Sequence, residues 1–190
     1  MLMPVSHKYK IIFIHIPKCG GTTIDHLLDI IDYSDQHYTL LQLKNKLNPD
    51  IFNGYKKITV VRNPYTRLLS EYVFRSRFIT RQPLTFEQYI HKGSEYLNTT
   101  QSAFLYNEQG NLNSINTIYK FENMNTCIDD INIITGKSGY VHLNKSTYTK
   151  PVEEYYTPEL REIVYNTYKE DFINFGYDGF TQLTEASSHS

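Results

Sequence analysis

The stretch KIIFIHIPKCGGTTIDHLL, Lys10 to Leu28, limits what this chain can fold into more than any other. Lys10 to Ile16 is dominated by the apolar, mostly β-branched residues Ile11, Ile12, Phe13, Ile14 and Ile16, the composition of a buried strand. Pro17 ends it. Lys18 and the pair Gly20 and Gly21 make a cationic turn, and from Thr22 to Ile31 the residues Ile24, Leu27, Leu28 and Ile31 recur at the spacing of one helix face. Further on, TLLQLKNKL (Thr39 to Leu47) is a second helical pattern that ends at the Asn48-Pro49 breaker, and KKITVV (Lys56 to Val61) is a second buried strand. Strands joined through helices pair in parallel, so an α/β fold with a mainly parallel sheet is expected. After Arg62-Asn63-Pro64, YTRLLSEYVF predicts a helix with Pro64 in its first turn, where the missing N–H does little harm. INTIYKF (Ile115 to Phe121) is a third strand candidate. TPELREIVYNTYKEDF, from Thr157, predicts a long closing helix with Pro158 at its start.

At 190 residues the chain has the length of one domain. The pattern places a lead-in at 1–9, the domain at 10–178 and a flexible tail at 179–190. Lys plus Arg number 19 against 20 Asp plus Glu, so no overall basic field draws the chain to nucleic acid or to an anionic membrane, and any anion site must be local. The two cysteines, Cys19 and Cys127, lack the spacing of a zinc site or a disulfide scaffold, which fits a reducing, cytoplasmic setting. No stretch approaches the roughly 18 apolar residues that cross a bilayer. With 17 Tyr and 10 Phe the chain has aromatic surface enough for a core or for stacking on a ring, and composition does not separate the two uses.

In a parallel α/β sheet, ligands bind beyond the carboxyl ends of the strands, where the Lys18 turn lies. Gly20 and Gly21 let backbone approach a ligand closely, Lys18 adds a full charge, and Thr22 and Thr23 add hydroxyl donors, a set suited to a phosphate-type anion. Cys19 reads as a small residue tolerated in the loop, since no His and Asn partner can be assigned to it as a nucleophile. The loop is not a Walker A sequence, in which the lysine follows the glycines and a Ser or Thr ligates magnesium. Here the lysine comes first, and no apolar strand ends in a metal-binding aspartate, which disfavours a phosphotransferase driven by ATP or GTP.

IHIPKCGGTT resembles the 5′-phosphosulfate loop of sulfotransferases that use 3′-phosphoadenosine 5′-phosphosulfate (PAPS), and VVRNPYTRLLSEY (Val60 to Tyr72) resembles the segment with which they hold the 3′-phosphate. The resemblance runs from about Lys10 to Asp178 and is nearest to the carbohydrate, membrane-type (family 2-like) branch. It includes HYTLLQL, Gln101 with FLY, YKFENM, HLNKS and YYTPELREIVYNTYKEDFINFGY. Cys19 stands where Thr or Ala is commoner, Thr23 where Ser is, and the Golgi anchor of animal members is missing, so an acceptor other than an animal-like glycosaminoglycan is expected.

The resemblance implies a P-loop-like three-layer α/β domain that moves a sulfuryl group from PAPS to an acceptor hydroxyl, on a small molecule or glycan. 3′-Phosphoadenosine 5′-phosphate (PAP) would be the product, with no metal involved. It assigns Lys18, Cys19, Gly20, Gly21, Thr22 and Thr23 to the phosphosulfate, and Arg62 and Ser70 to the 3′-phosphate. Of the seven histidines, His37 aligns with the base of some carbohydrate sulfotransferases. His15, just before the loop, and Glu71, beside Ser70, are the next candidates. His142, with Asn144, Lys145 and Ser146, fits a late loop over the nucleotide. Two other classes remain open: a nucleotide or nucleoside kinase-like phosphotransferase, marked by ATP turnover that requires Mg²⁺, and a non-catalytic PAPS- or glycan-binding relative, marked by tight PAP binding without turnover.

Overall fold

The computed structural model of the chain describes residues 3–30, 37–77, 84–92, 99–138 and 148–178. In order they form β1 (Val5–Ser6), β2 (Ile11–Ile14), α1 (Gly21–Leu27), α2 (Leu40–Lys46), α3 (Pro49–Gly54), β3 (Lys56–Val61), α4 (Pro64–Ser76), α5 (Phe86–Lys92), α6 (Gln101–Leu105), β4 (Thr117–Lys120), α7 (Met124–Thr135), α8 (Pro158–Thr167) and α9 (Lys169–Phe175). Two compact units divide these elements: Met1–Val61 with Gln101–Asn144, and Arg62–Thr100 with Lys145–Ser190.

The first unit is the α/β part. Its sheet has the order β1-β2-β3-β4, with β2, β3 and β4 parallel and β1 antiparallel to β2, so the expected mainly parallel sheet is present. Every residue of β2 is buried, as are Ile58, Val60 and Val61 of β3, which is why β2 reads as an unbroken apolar run and β3 as a largely apolar one behind its two lysines. Thr59, the one hydroxyl inside β3, donates to the Ile14 carbonyl at 2.8 Å and so enters the core with its hydrogen bond made. β1, in the expected lead-in, adds an edge strand, and α7 packs on β4 and α1. Asn48-Pro49 does more than break α2: the Asn48 side chain accepts from Asp50 N at 2.8 Å and Pro49 opens α3, so the same dipeptide ends one helix and caps the next.

Helix α1 stops at Leu27, short of the predicted Ile31, which lies outside the described residues. The Lys137 ammonium donates to the carbonyls of Leu27, at 2.8 Å, and His26, at 3.4 Å, capping the end of the helix from the far end of α7. Asp29 then takes a left-handed φ of 56°, and its carboxylate accepts from Lys137, from Lys8 at 3.2 Å and from Tyr9 at 3.1 Å. Lys137 is the largest cause that holds the Asp29 carboxyl at about 2, below its ordinary 3.8. A depressed folded-state value means that this carboxylate stabilises the fold above its unfolded pKa and loses that contribution as pH falls from about 4 to 2. The site is exposed and solvent-screened, so the effect is small. An acid titration followed by circular dichroism should show Asp29→Asn narrowing its stability gap to the wild type through that window, whereas a constant gap would refute the linkage.

The second unit is helical among the described residues. α4 packs on α5 and α8, and α8 on α5 and α9. The single closing helix read from the sequence is two helices, because Tyr168 leaves helical geometry at φ −113° and ψ 25°. The core here is aromatic. The Tyr156 ring lies edge-on to Phe86 and Tyr65, with centroids 5.0 and 5.1 Å away, its hydroxyl donates to the Tyr65 carbonyl at 2.7 Å, and burial pushes its phenol well above the usual tyrosine range. The Tyr65 hydroxyl in turn donates to the Arg161 carbonyl at 3.0 Å. Tyrosine serves this unit as apolar filling that also satisfies buried carbonyls.

Candidate active site

Strand β2 delivers His15, Ile16 and Pro17 into a turn whose backbone is left-handed at Lys18, φ 67°, and again at Gly20, φ 77°. The second position needs glycine for a further reason: a Cβ there would lie 2.7 Å from Met124 Cε and 3.1 Å from the Phe121 ring. At Gly21 a Cβ would run into the His15 imidazole. A left-handed lysine carries a penalty of about 1–2 kcal/mol, the kind of backbone strain that collects where a chain is shaped for a ligand. Cys19 is buried, and its thiol donates to Gln101 Oε1 at 3.2 Å. It ties the turn to the first residue of α6, which is a structural role. Thr23 N donates to the Gly20 carbonyl at 3.2 Å, and α1 begins without a side-chain cap.

Two histidines meet behind this turn. His37 Nδ1 lies 3.0 Å from the His15 carbonyl oxygen, and the two rings stand edge to face with centroids 4.8 Å apart. A carbonyl oxygen only accepts, so Nδ1 of His37 carries the proton and the lone pair of the neutral ring sits on Nε2. His15 Nδ1 is 2.8 Å from Asp25 Oδ2 and by the same reasoning donates to it. Asp25 was not legible as a site residue. It lies ten positions beyond His15, on the far side of the turn, and matches no catalytic spacing.

In the second unit, Asn63 accepts from Tyr65 N at 3.0 Å and Pro64 takes the first position of α4, so Arg62 stands immediately ahead of the helix cap. Arg62 is 7% exposed; its Nε donates to Thr66 Oγ1 and its Nη2 to the Tyr148 hydroxyl, each at 3.0 Å. Ser70, on α4, is 2% exposed. Glu71, the third candidate base, is buried with its carboxylate paired to Arg75 one helical turn on, which occupies it as a structural anion. Tyr148 is a contact of Arg62 from outside every motif, whereas Thr66 lies within the Arg62 segment itself. His142, Asn144, Lys145 and Ser146 lie outside the described residues.

Among the described residues no cluster of three or more His, Cys, Asp or Glu side chains is arranged to hold a metal, and no helix is long and apolar enough to cross a membrane. A buried strand that feeds a cationic, glycine-opened turn into a helix, with a parallel strand beside it, defines an α/β protein of the P-loop-like kind. The profile of the Sulfotransferase family matches residues 3–132, more than half of the 190-residue chain, and the chain belongs to that family. Among curated proteins nothing matches it, and no solved structure does.

Proposed function

We propose that this protein transfers the sulfuryl group of PAPS to a hydroxyl of a carbohydrate acceptor. Family membership supports sulfuryl transfer, and the observation that carries the donor assignment is the turn with left-handed Lys18 and Gly20. A backbone held in that form suits an oxyanion such as the phosphosulfate. In the reaction, the acceptor oxygen forms a bond to sulfur as the bond from sulfur to the bridging oxygen of the 5′-phosphate breaks. The hydroxyl proton passes to a base and PAP departs. Lys18 with the backbone of Gly20 and Gly21 stabilises the charge that grows on the leaving oxygen, with Thr22 and Thr23 as hydroxyl donors. Arg62 and Ser70 bind the 3′-phosphate, and His37, with its lone pair on Nε2, takes the proton.

The donor assignment is tested by affinity. Arg62→Ala removes a charge-assisted contact worth about 2–3 kcal/mol, so PAP binding by calorimetry should weaken by roughly 30- to 150-fold. Adenosine 5′-phosphosulfate, which lacks the 3′-phosphate, should bind the variant and the wild type alike. Equal losses for the two nucleotides would remove Arg62 from the 3′-phosphate.

A further inference from the structure

We propose that Asp25 is a positioning residue for this reaction: its carboxylate fixes the His15 imidazole, and His15 in turn orients His37. The inference rests on the reading of His37 as the base.

Asp25 lies on α1 and is 5% exposed, with Oδ2 on His15 Nδ1 and with Oδ1 buried and without a hydrogen-bond partner among the described residues. A buried carboxylate that satisfies only one of its oxygens weakens a fold. The apolar burial of this stretch comes from Ile24, Leu27 and Leu28. What Asp25 does supply is a fixed acceptor for one imidazole N–H. That sets both the rotation and the tautomer of His15, with the proton on Nδ1 and the lone pair on Nε2. The other edge of the same ring lies against Gly21, at the head of α1, so close that no side chain fits between them. His15 is therefore clamped between the carboxylate and the proposed donor loop.

His37 leans on His15 twice. Its Nδ1–H reaches the His15 carbonyl, and its ring stands edge to face on the His15 ring. The first contact decides which nitrogen of His37 holds the lone pair, and the second limits how the ring turns. A His15 ring that rotates or changes tautomer alters the wall against which His37 stands, and the base loses its aim without losing its chemistry. Asp25 touches neither donor nor acceptor in this scheme and acts through His15 alone.

Asp25→Asn keeps the shape of the side chain but offers an amide N–H, which favours a His15 whose Nδ1 accepts, the opposite tautomer. Long-range ¹H–¹⁵N NMR of the full chain should find the His15 proton on Nδ1 in the wild type and on Nε2 in Asp25→Asn. The variant should lose about tenfold to 100-fold in kcat, the usual range for a group that orients another. PAP affinity and the KM for PAPS should stay within about twofold, because an orienting group acts on the chemical step. Asp25→Glu, which retains an anionic acceptor, should recover part of the rate.

Wild-type kcat in Asp25→Asn, or a loss matched by an equal loss of PAP affinity, overturns the proposal. Should Asp25→Asn fail to fold, His15→Asn removes the ring that Asp25 holds, and an undiminished kcat there overturns it equally. A wild type that moves no sulfate from PAPS overturns the sulfotransferase reading and this inference with it, whereas an active wild type equalled by Asp25→Asn overturns this inference alone.

Discussion

Lys18→Ala should lower kcat by about 10²- to 10³-fold, the range seen when one preorganised donor to a developing oxyanion is removed. The KM for PAPS should rise far less. The difference follows from when the charge appears: the bridging oxygen bears little negative charge in bound PAPS and gains it only as the bond to sulfur stretches, so the lysine contact strengthens towards the transition state. Lys18 also occupies a left-handed backbone position, φ 67°, that alanine tolerates no better. The substitution therefore removes the ammonium without relieving strain in the turn, and the kinetic effect reports the charge. Steady-state kinetics with PAPS varied at saturating acceptor separates the two parameters. A variant with wild-type kcat and a raised KM would make Lys18 a binding residue outside the reaction centre.

The parts of the protein that were legible in the sequence are those whose signal is local. β2 is a continuous apolar run and the end of β3 is nearly one because these stretches are buried, the Lys18 turn carries its glycine pair in plain view, and Pro64 marks the first position of α4. What escaped depends on residues far apart in the chain. α1 ends early because Lys137 caps it from the end of α7, and no periodicity within Thr22 to Ile31 encodes that. The closing helix divides at Tyr168, a residue with no helix-breaking character of its own, which lies buried in the second unit.

The candidate site shows the same limit. The loop and Arg62 are motif residues, but Tyr148 reaches Arg62 across 86 positions and Asp25 reaches His15 around the turn, so only folding reveals either contact. His15, a candidate base in the sequence, has a partner in the fold. That partner is a buried carboxylate, which an ordinary strand histidine does not need. The aromatic count was uninformative for a physical reason. The Tyr156 ring and hydroxyl serve packing and carbonyl satisfaction at once, and a tyrosine that stacks on a ligand has the same composition.

His37→Ala should lose about 10²- to 10⁴-fold in kcat, the contribution of a positioned general base, with PAP affinity unchanged. The structural support is the direction of one hydrogen bond. With Nδ1 donating to the His15 carbonyl, a neutral His37 presents Nε2 as an acceptor, the state a base must be in before the acceptor hydroxyl arrives. Protonation of Nε2 fills that lone pair, so the wild-type rate should fall on acidification. The alanine variant should lack that limb. His37→Gln sharpens the test: its amide can keep a donor near the His15 carbonyl but cannot take up a proton at neutral pH, so it should recover structure without rate. If the acidic limb survives in His37→Ala, the proton goes elsewhere, and His15 is the next group to substitute, because Glu71 is already paired with Arg75. If the limb and the rate disappear together while PAP still binds, His37 is the base, and the two histidines behind the Lys18 turn divide the work, one orienting and one accepting the proton.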